Sequence, residues 1–286
     1  MSSTSTPRHD KKVEVTLIYL SRQEVENLCQ RTLSSMFCNV MKELAVYNSI
    51  SKEYGDLVLH DPSKRFVQYP WAISQVPQPP LGLHILDVGC GEGSLPRLLA
   101  QKGALVCGYD NSAALIEQAV KAETVTPLGI KYIIADPTVI WVKCPTKRFD
   151  IALSTAVLHY ARDTDHLASF FSSTYQLLKP GGVFAALVCN PEFKRYNHFI
   201  YNRVYAREPN GHLRVDFYDA DKKCCSAYYS DFATIDYEKA AQTCNWQSLT
   251  WCPIKVTQEG KNLMGSFWDG FEEDCPYIGI RCSKPG

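Results

Sequence analysis

The chain of 286 residues has no excess charge of either sign: Lys and Arg number 30, and Asp and Glu also number 30. Such a balance leaves no global field to draw in a nucleic-acid backbone, so a nucleic-acid partner is disfavoured, although a local basic patch stays open. No apolar run approaches the roughly 20 residues of a membrane span. The polar opening MSSTSTPRHDKK does not read as a secretory leader, and the expectation is a soluble, cytoplasmic protein with no membrane partner. The 12 cysteines include no Cys-x-x-Cys pair. They are scattered, several inside apolar runs, which suits reduced thiols better than a disulfide framework. Cys224 and Cys225 are too close for the usual ligand spacings of a tetrahedral zinc, and no metal is expected. No internal repeat occurs, and no low-complexity tract lies beyond the first dozen residues.

What is present is a dense motif, HILDVGCGEGSLPRLLA, from His84 to Ala100. A short apolar run ending at Asp87 passes into Gly89, Gly91 and Gly93, after which Leu95, Leu98 and Leu99 take up helical spacing. This predicts a strand, a tight turn and a helix start. Missing Cβ atoms let a ligand press against the main chain, and unpaired N–H groups at the helix start attract negative charge. Two ligand classes use such a turn, dinucleotides and S-adenosylmethionine. The dinucleotide fingerprint wants G-x-G-x-x-G, whereas the sixth position counted from Gly89 is Ser94 and the spacing here is G-x-G-x-G. A plain glycine-rich bend would give the same string, so the rest of the chain must arbitrate.

ALVCGYD forms a second apolar strand ending in Asp110, about 20 residues past the glycines, where doubly wound folds place an acid on ribose hydroxyls. NSAALIEQAVKAE begins with an N-cap at Asn111 or Ser112 and continues as a helix. IKYIIAD is a third strand closed by Asp136, and FDIALST a fourth. LHYARDTDHLASFFSSTYQLL reads as one helix, and KPGGVFAALV as a turn with a fifth strand. Strands alternating with helices predict an α/β, doubly wound parallel sheet whose ligands bind outside the carboxyl ends of the strands. Asp87, Asp110, Asp136 and Thr155 all fall there. One such acid is ordinarily a helix cap, but three in succession at one sheet edge point to a site.

Two additions flank this core. Residues 1–80 hold a helical cap and a Pro-rich link, VPQPPLG, that breaks helix; residues 81–286 form the core, with an aromatic insert at about 190–235. The tail YIGIRC is expected as a late antiparallel strand against the edge of the sheet.

At this point the motifs resemble those of the class I S-adenosylmethionine-dependent methyltransferases. LDVGCGEGSLPRLLA is similar to that family's first motif, VCGYDNS to its acidic second, IIADP to its third, and LLKPGGVFAALV to its late Pro-Gly-Gly strand, together covering about Leu83 to Cys189. YNSISKEYGDLV, DPSKRFVQYPW and SFWDGFEEDCPYIGIRC are similar to a small-molecule branch that includes toxoflavin-pathway methyltransferases. The resemblance implies a Rossmann-like, mostly parallel seven-stranded sheet, S-adenosylmethionine as cofactor and methyl transfer as activity. It also implies residue roles. Gly89, Cys90 and Gly91 would present main chain to the methionine part, and Asp110, with Asn111 beside it, would accept from the ribose hydroxyls. Asp136, with Pro137, would accept from the adenine amino group. Thr155 and Ala156 would line the reactive end. Tyr47 and Tyr54, spaced as in a helix that covers the pocket in similar enzymes, and Arg65, which could pair with the cofactor carboxylate, complete the set. The tyrosines equally suit core packing, and the arginine equally suits solvent.

A sulfonium methyl is already electrophilic, so the protein must chiefly align an acceptor and exclude water. A neutral nitrogen acceptor needs little help, whereas a hydroxyl gains from a base, for which His159 in STAVLHYARD is the candidate; a wall role is the alternative. Tyr196 and His198 rank below it as groups facing the acceptor. The N-P-P-Y or D-P-P-Y run of enzymes that methylate exocyclic amines is absent after the fourth strand, where Ser154-Thr155-Ala156-Val157 stands. The expected partner is a small-molecule acceptor, methylated on oxygen or nitrogen, beneath a lid built from the N-terminal segment and the aromatic insert. A homodimer stays open, as do a cofactor-binding module without catalysis, a nucleic-acid or protein methyltransferase, and a dinucleotide-dependent oxidoreductase.

Overall fold

The computed structural model describes residues 61–144, 149–219 and 221–286. Tyr47 and Tyr54 lie outside them. The main sheet has seven strands: β1 (His84–Val88), β2 (Leu105–Asp110), β3 (Lys131–Ile134), β4 (Phe149–Thr155), β5 (Leu178–Cys189), β10 (Leu249–Cys252) and β11 (Tyr277–Ser283). Their order across the sheet is β10-β11-β5-β4-β1-β2-β3. The first five pair in parallel, and β11 runs antiparallel to both neighbours. The tail strand is antiparallel, as expected, and is inserted between β5 and β10, which lies outside it at the edge. The short LTWC run of β10 carries too little periodicity to announce the strand that covers it.

β1 is buried on both faces, as a central parallel strand must be: Leu86 and Val88 join one apolar cluster and Ile85 the other. The first face is covered by α5 (Thr164–Leu177) and α6 (Thr234–Gln242) through Leu167, Phe171 and Tyr237. The second is covered by α2 (Ser94–Gln101), α3 (Ala113–Val125) and α1 (Tyr69–Ser74), the last bringing Trp71 onto β11. A Cβ at Gly279 would strike the Trp71 ring, so the glycine is what lets this helix seat on the strand. Burial of such rings contributes roughly 1.5–3 kcal/mol each. Between β3 and β4 lies the one-turn α4 (Ile140–Lys143), and α7 (Gln258–Met264) precedes the final strand.

The expected single helix from Leu158 is two elements. A 3₁₀ turn covers Leu158–Tyr160, and α5 starts only after Asp163, whose side chain accepts from the His166 N–H at 2.7 Å. The Asp cap at this point resets the chain because it satisfies a helix-start donor that a continuous helix would not present.

The aromatic insert forms a second sheet of four antiparallel strands, β6 (Phe199–Ile200), β7 (Arg203–Arg207), β8 (His212–Asp219) and β9 (Lys222–Ser230). Tyr205, Leu213, Val215 and Tyr229 alternate onto its inner face and pack, with Phe193, against Tyr160 and Cys189. Ser230 Oγ donates to the Ala161 carbonyl at 2.6 Å, fastening the outer sheet to the turn after β4.

Candidate active site

The sheet edge at the ends of β1, β2 and β4 is shaped first by glycine. Gly89 has φ +72°, and a Cβ there would sit 2.5 Å from Val157 Cγ2. Gly91 has φ +54°, and a Cβ would meet nothing within 4 Å, so its free face opens on a cleft. The first glycine serves packing; the second leaves room for a ligand. The N–H groups of the turn itself, ahead of the helix start at Ser94, are paired within the chain. Gly89 and Cys90 both donate to the Tyr109 carbonyl, at 2.8 and 2.9 Å, and Gly91 donates to Asp110 Oδ2 at 2.9 Å. The main chain of β2 lies close enough to take these donors, so the turn supplies approach rather than charge.

Asp110 is held on both sides, Oδ1 accepting from the Ser112 N–H at 2.8 Å. Each carboxylate oxygen keeps lone pairs for further donors. Burial raises the Asp110 pKa above its ordinary value, opposed by the bonds from Ser112 and Gly91. Asp87, behind it, is 1% exposed, and its Oδ1 finds no hydrogen-bond partner among the described residues. Burial, then repulsion from Asp110 and Glu92, pushes its carboxyl up to about 8.

A cleft runs along this edge, lined by Gly89, Cys90, Gly91, Asp110, Asn111, Pro137, Thr155 and Ala156 of the expected set. Ala156 stands at φ +58°, a left-handed conformation unusual outside glycine and concentrated at ligand sites. Two expected residues are placed elsewhere. Arg65 is turned to Glu259, 2.8 Å away and largely exposed, and does not line the cleft. Asp136 is also absent from the wall: Oδ1 accepts from the Thr138 N–H and hydroxyl at 2.9 and 2.6 Å, and Oδ2 faces His166 Nε2 at 3.5 Å. Burial raises the Asp136 carboxyl, but bonds from His166 and Thr138 outweigh it and leave the pKa lowered. His166 itself lines the cleft, as do Tyr69, Glu92 and Tyr109, none of which carried a sequence signal beyond residue type.

A second cavity adjoins the first, and Lys64, Thr155, Ala156 and Tyr160 line both. Its outer wall is the inner face of the second sheet, with Tyr205, Val215, Phe217 and Tyr229; its inner wall carries Gln68, His159 and Tyr277. His159 is 2% exposed and packs against the Tyr229 ring at 4.3 Å and the Tyr160 ring at 4.8 Å. Burial lowers its pKa to about 3, so the imidazole is neutral at physiological pH and a weak base. Tyr196 and His198 do not line this cavity: Tyr196 lies under the Arg207 guanidinium, and His198 is exposed. β7 and β8 turn their other residues inward, and those two fall on the approach to β6.

The strand order, the antiparallel β11 and the glycine turn at β1 are the fold of the class I S-adenosylmethionine-dependent methyltransferases. A family model described as a methyltransferase domain matches residues 86–186. Among curated proteins, the ubiquinone biosynthesis O-methyltransferase of Coxiella burnetii is 34% identical over 124 residues, 43% of this chain and 51% of that protein. That of Brucella ovis is 34% identical over 129 residues, 45% and 50% respectively. The chain thus spans about half the length of the curated relatives it matches. In fold it is similar to an S-adenosylmethionine-dependent methyltransferase from Mesorhizobium loti, with TM-score 0.56 at 20% identity, covering 76% of this chain and 97% of that one. Another from Clostridium acetobutylicum gives TM-score 0.57 at 17% identity, over 84% and 100%. The residues present fit S-adenosylmethionine: an acid with acceptor capacity at the end of β2 and an open glycine, Gly91, both in the cleft wall.

Proposed function

We propose that this protein transfers the methyl group of S-adenosylmethionine to a small-molecule acceptor, on oxygen or nitrogen. The observation that carries this reading is the junction of the two cavities at Thr155, Ala156 and Tyr160. A cofactor in the first cleft and an acceptor in the second would meet only there. Bound S-adenosylmethionine supplies a sulfonium-activated methyl group open to in-line displacement. The chain's own part is positional. Asp110 would hold ribose hydroxyls, Ala156 and Thr155 would shape the passage, and Tyr160 with the outer sheet would exclude water from it. His159, neutral and walled by Tyr160 and Tyr229, would accept a hydrogen bond and orient the acceptor rather than remove its proton.

An enclosed aromatic cavity suits a small molecule better than a nucleic-acid strand or a protein segment. The outer motifs similar to toxoflavin-pathway enzymes, and the names of the curated ubiquinone-pathway relatives, support the same class. A cytoplasmic location, and a homodimer as one form of the assembly, go with this reading. The test is transfer of tritium from methyl-labelled S-adenosylmethionine to an extract of small metabolites. Labelled product with wild-type protein, reduced in Asp110→Ala along with a loss of about 1–3 kcal/mol in calorimetric cofactor affinity, supports the reading. Cofactor binding without transfer to any fraction would leave a binding module acting through a partner.

A further inference from the structure

Three residues that line the second cavity carry a buried polar atom with no hydrogen-bond partner among the described residues, at Gln68 Oε1, His159 Nδ1 and Arg203 Nε, and of these only Gln68 Oε1 is an acceptor on a side chain that never carries a charge. Gln68 is 3% exposed, and its Oε1 finds no hydrogen-bond partner among the described residues. A buried side-chain amide left unsatisfied is destabilising by about 1–3 kcal/mol, and few native groups carry that cost without a reason. The backbone gives a second, independent indication. Gln68 closes a π-helical turn, Lys64–Gln68, in which Phe66, Val67 and Gln68 are buried and Lys64 lines the cavities. Such wide turns occur mostly at functional sites, because they trade regular hydrogen bonding for a changed side-chain direction.

The charges around Gln68 are compensated. Arg203 is buried beside it in the cavity wall but is paired with Asp61 and donates to Ser63 Oγ at 2.8 Å. The same cavity is lined by the rings of Tyr205, Phe217, Tyr229, Tyr277 and His159, and also by Lys64, Asp219, Lys222 and Lys223. A flat ring bound here would meet ring faces and edges on several sides. Gln68 lines the second cavity only, while the residues common to both cavities mark where a methyl group would pass.

The geometry points to Gln68 as a specificity-determining residue that accepts a hydrogen bond from an O–H or ring N–H on a planar aromatic acceptor, at a position remote from the atom that is methylated. This rests on the methyl-transfer reading of the same site and adds the acceptor's chemistry to it. A donor at that position satisfies Oε1. An otherwise similar molecule without one would leave it unpaired and bind more weakly, which is how a buried polar group discriminates.

The test uses the full chain saturated with S-adenosylhomocysteine and three probes of similar size, resorcinol, 1,3-dimethoxybenzene and 1,3-cyclohexanediol, with binding read by ligand-observed NMR titration. Resorcinol is expected to bind at least about tenfold more tightly than either of the others. Gln68→Leu should erase the preference over 1,3-dimethoxybenzene with unchanged S-adenosylhomocysteine affinity, while Gln68→Glu, which keeps an acceptor oxygen, should retain it. Should Gln68→Leu not fold, the wild-type and Gln68→Glu comparisons still decide. Equal binding of the cyclohexane diol overturns the aromatic part, and a preference that survives Gln68→Leu overturns the role of Gln68. Failure of all three probes to bind a protein that holds S-adenosylhomocysteine overturns the inference and leaves the methyl-transfer reading standing. Failure to hold S-adenosylhomocysteine at all overturns both.

Discussion

Arg203, at the start of β7, closes an ion pair onto Asp61, 142 positions earlier in the chain, and both side chains are buried. The pair stitches the segment before α1 to the outer sheet, so the two additions to the core meet across the second cavity. Arg203 also donates to Ser63 Oγ and to the Tyr201 carbonyl, and its guanidinium lies 5.1 Å from the Phe217 ring. Removing one partner would strand the other charge away from water. Asp61→Asn is therefore expected to destabilise the protein by about 3–5 kcal/mol, with Arg203→Met in the Asp61→Asn background recovering part of the loss. Denaturant titration of the two single variants and the double variant measures this; additive losses would show that the charges do not depend on one another.

Gly89→Ala tests the turn. The new Cβ would sit 2.5 Å from Val157 Cγ2 at a φ of +72°. Folding stability and cofactor affinity should both fall. Adding Val157→Ala should relieve the clash but not the backbone conformation, leaving a residual cost of roughly 1–2 kcal/mol. Full recovery in the double variant would mean that the left-handed conformation carries no cost here.

Asp87 sets a pH dependence. Its carboxyl stands at about 8 in the folded protein against an ordinary value of 3.8. Below 3.8 both states carry the proton and the contribution to stability is full. As pH rises, the unfolded chain releases its proton first, so stability declines until the folded carboxyl also ionises near 8. Asp87→Asn should flatten that decline in the apo protein, as read by denaturation midpoints from pH 4 to pH 8. An unchanged slope would place the titrating group elsewhere.

His159 gives the opposite sign. Burial takes its pKa from 6.5 to about 3, so it contributes stability above 6.5 that is lost as pH falls toward 3. His159→Gln should weaken that acid-side loss. Once an acceptor is in hand, the same variant should lose less than about tenfold in turnover, with no displacement of the pH–rate profile, because a general base would contribute about 10²–10⁴-fold. A hundredfold loss with a shifted acid limb would restore the base role.

Much of this site could be read without coordinates, and the reason is local. β1, β2, β4 and β5 are short apolar runs bounded by turn residues, and a central parallel strand needs little more than that. Gly89, Gly91 and Asp110 could be located because a tight turn and a strand-end acid depend on neighbours a few residues away, and the cleft wall contains all three. The rest depended on contacts between distant parts of the chain. Asp136 looks like Asp110 in sequence, but the arrival of His166 from α5 and the nearness of Thr138 turn its carboxylate from the cleft wall. His159 reads in sequence as a base or a wall residue alike, and only the packing of Tyr229 from β9 against it, with the desolvation that follows, lowers its pKa. Gln68 has no motif at all. Residue type and spacing determined the sheet and its edge of glycines and Asp110, because both follow from periodicity and backbone sterics; the tertiary structure decided the second cavity, because burial and pairing there are properties of segments that meet only when the chain is folded.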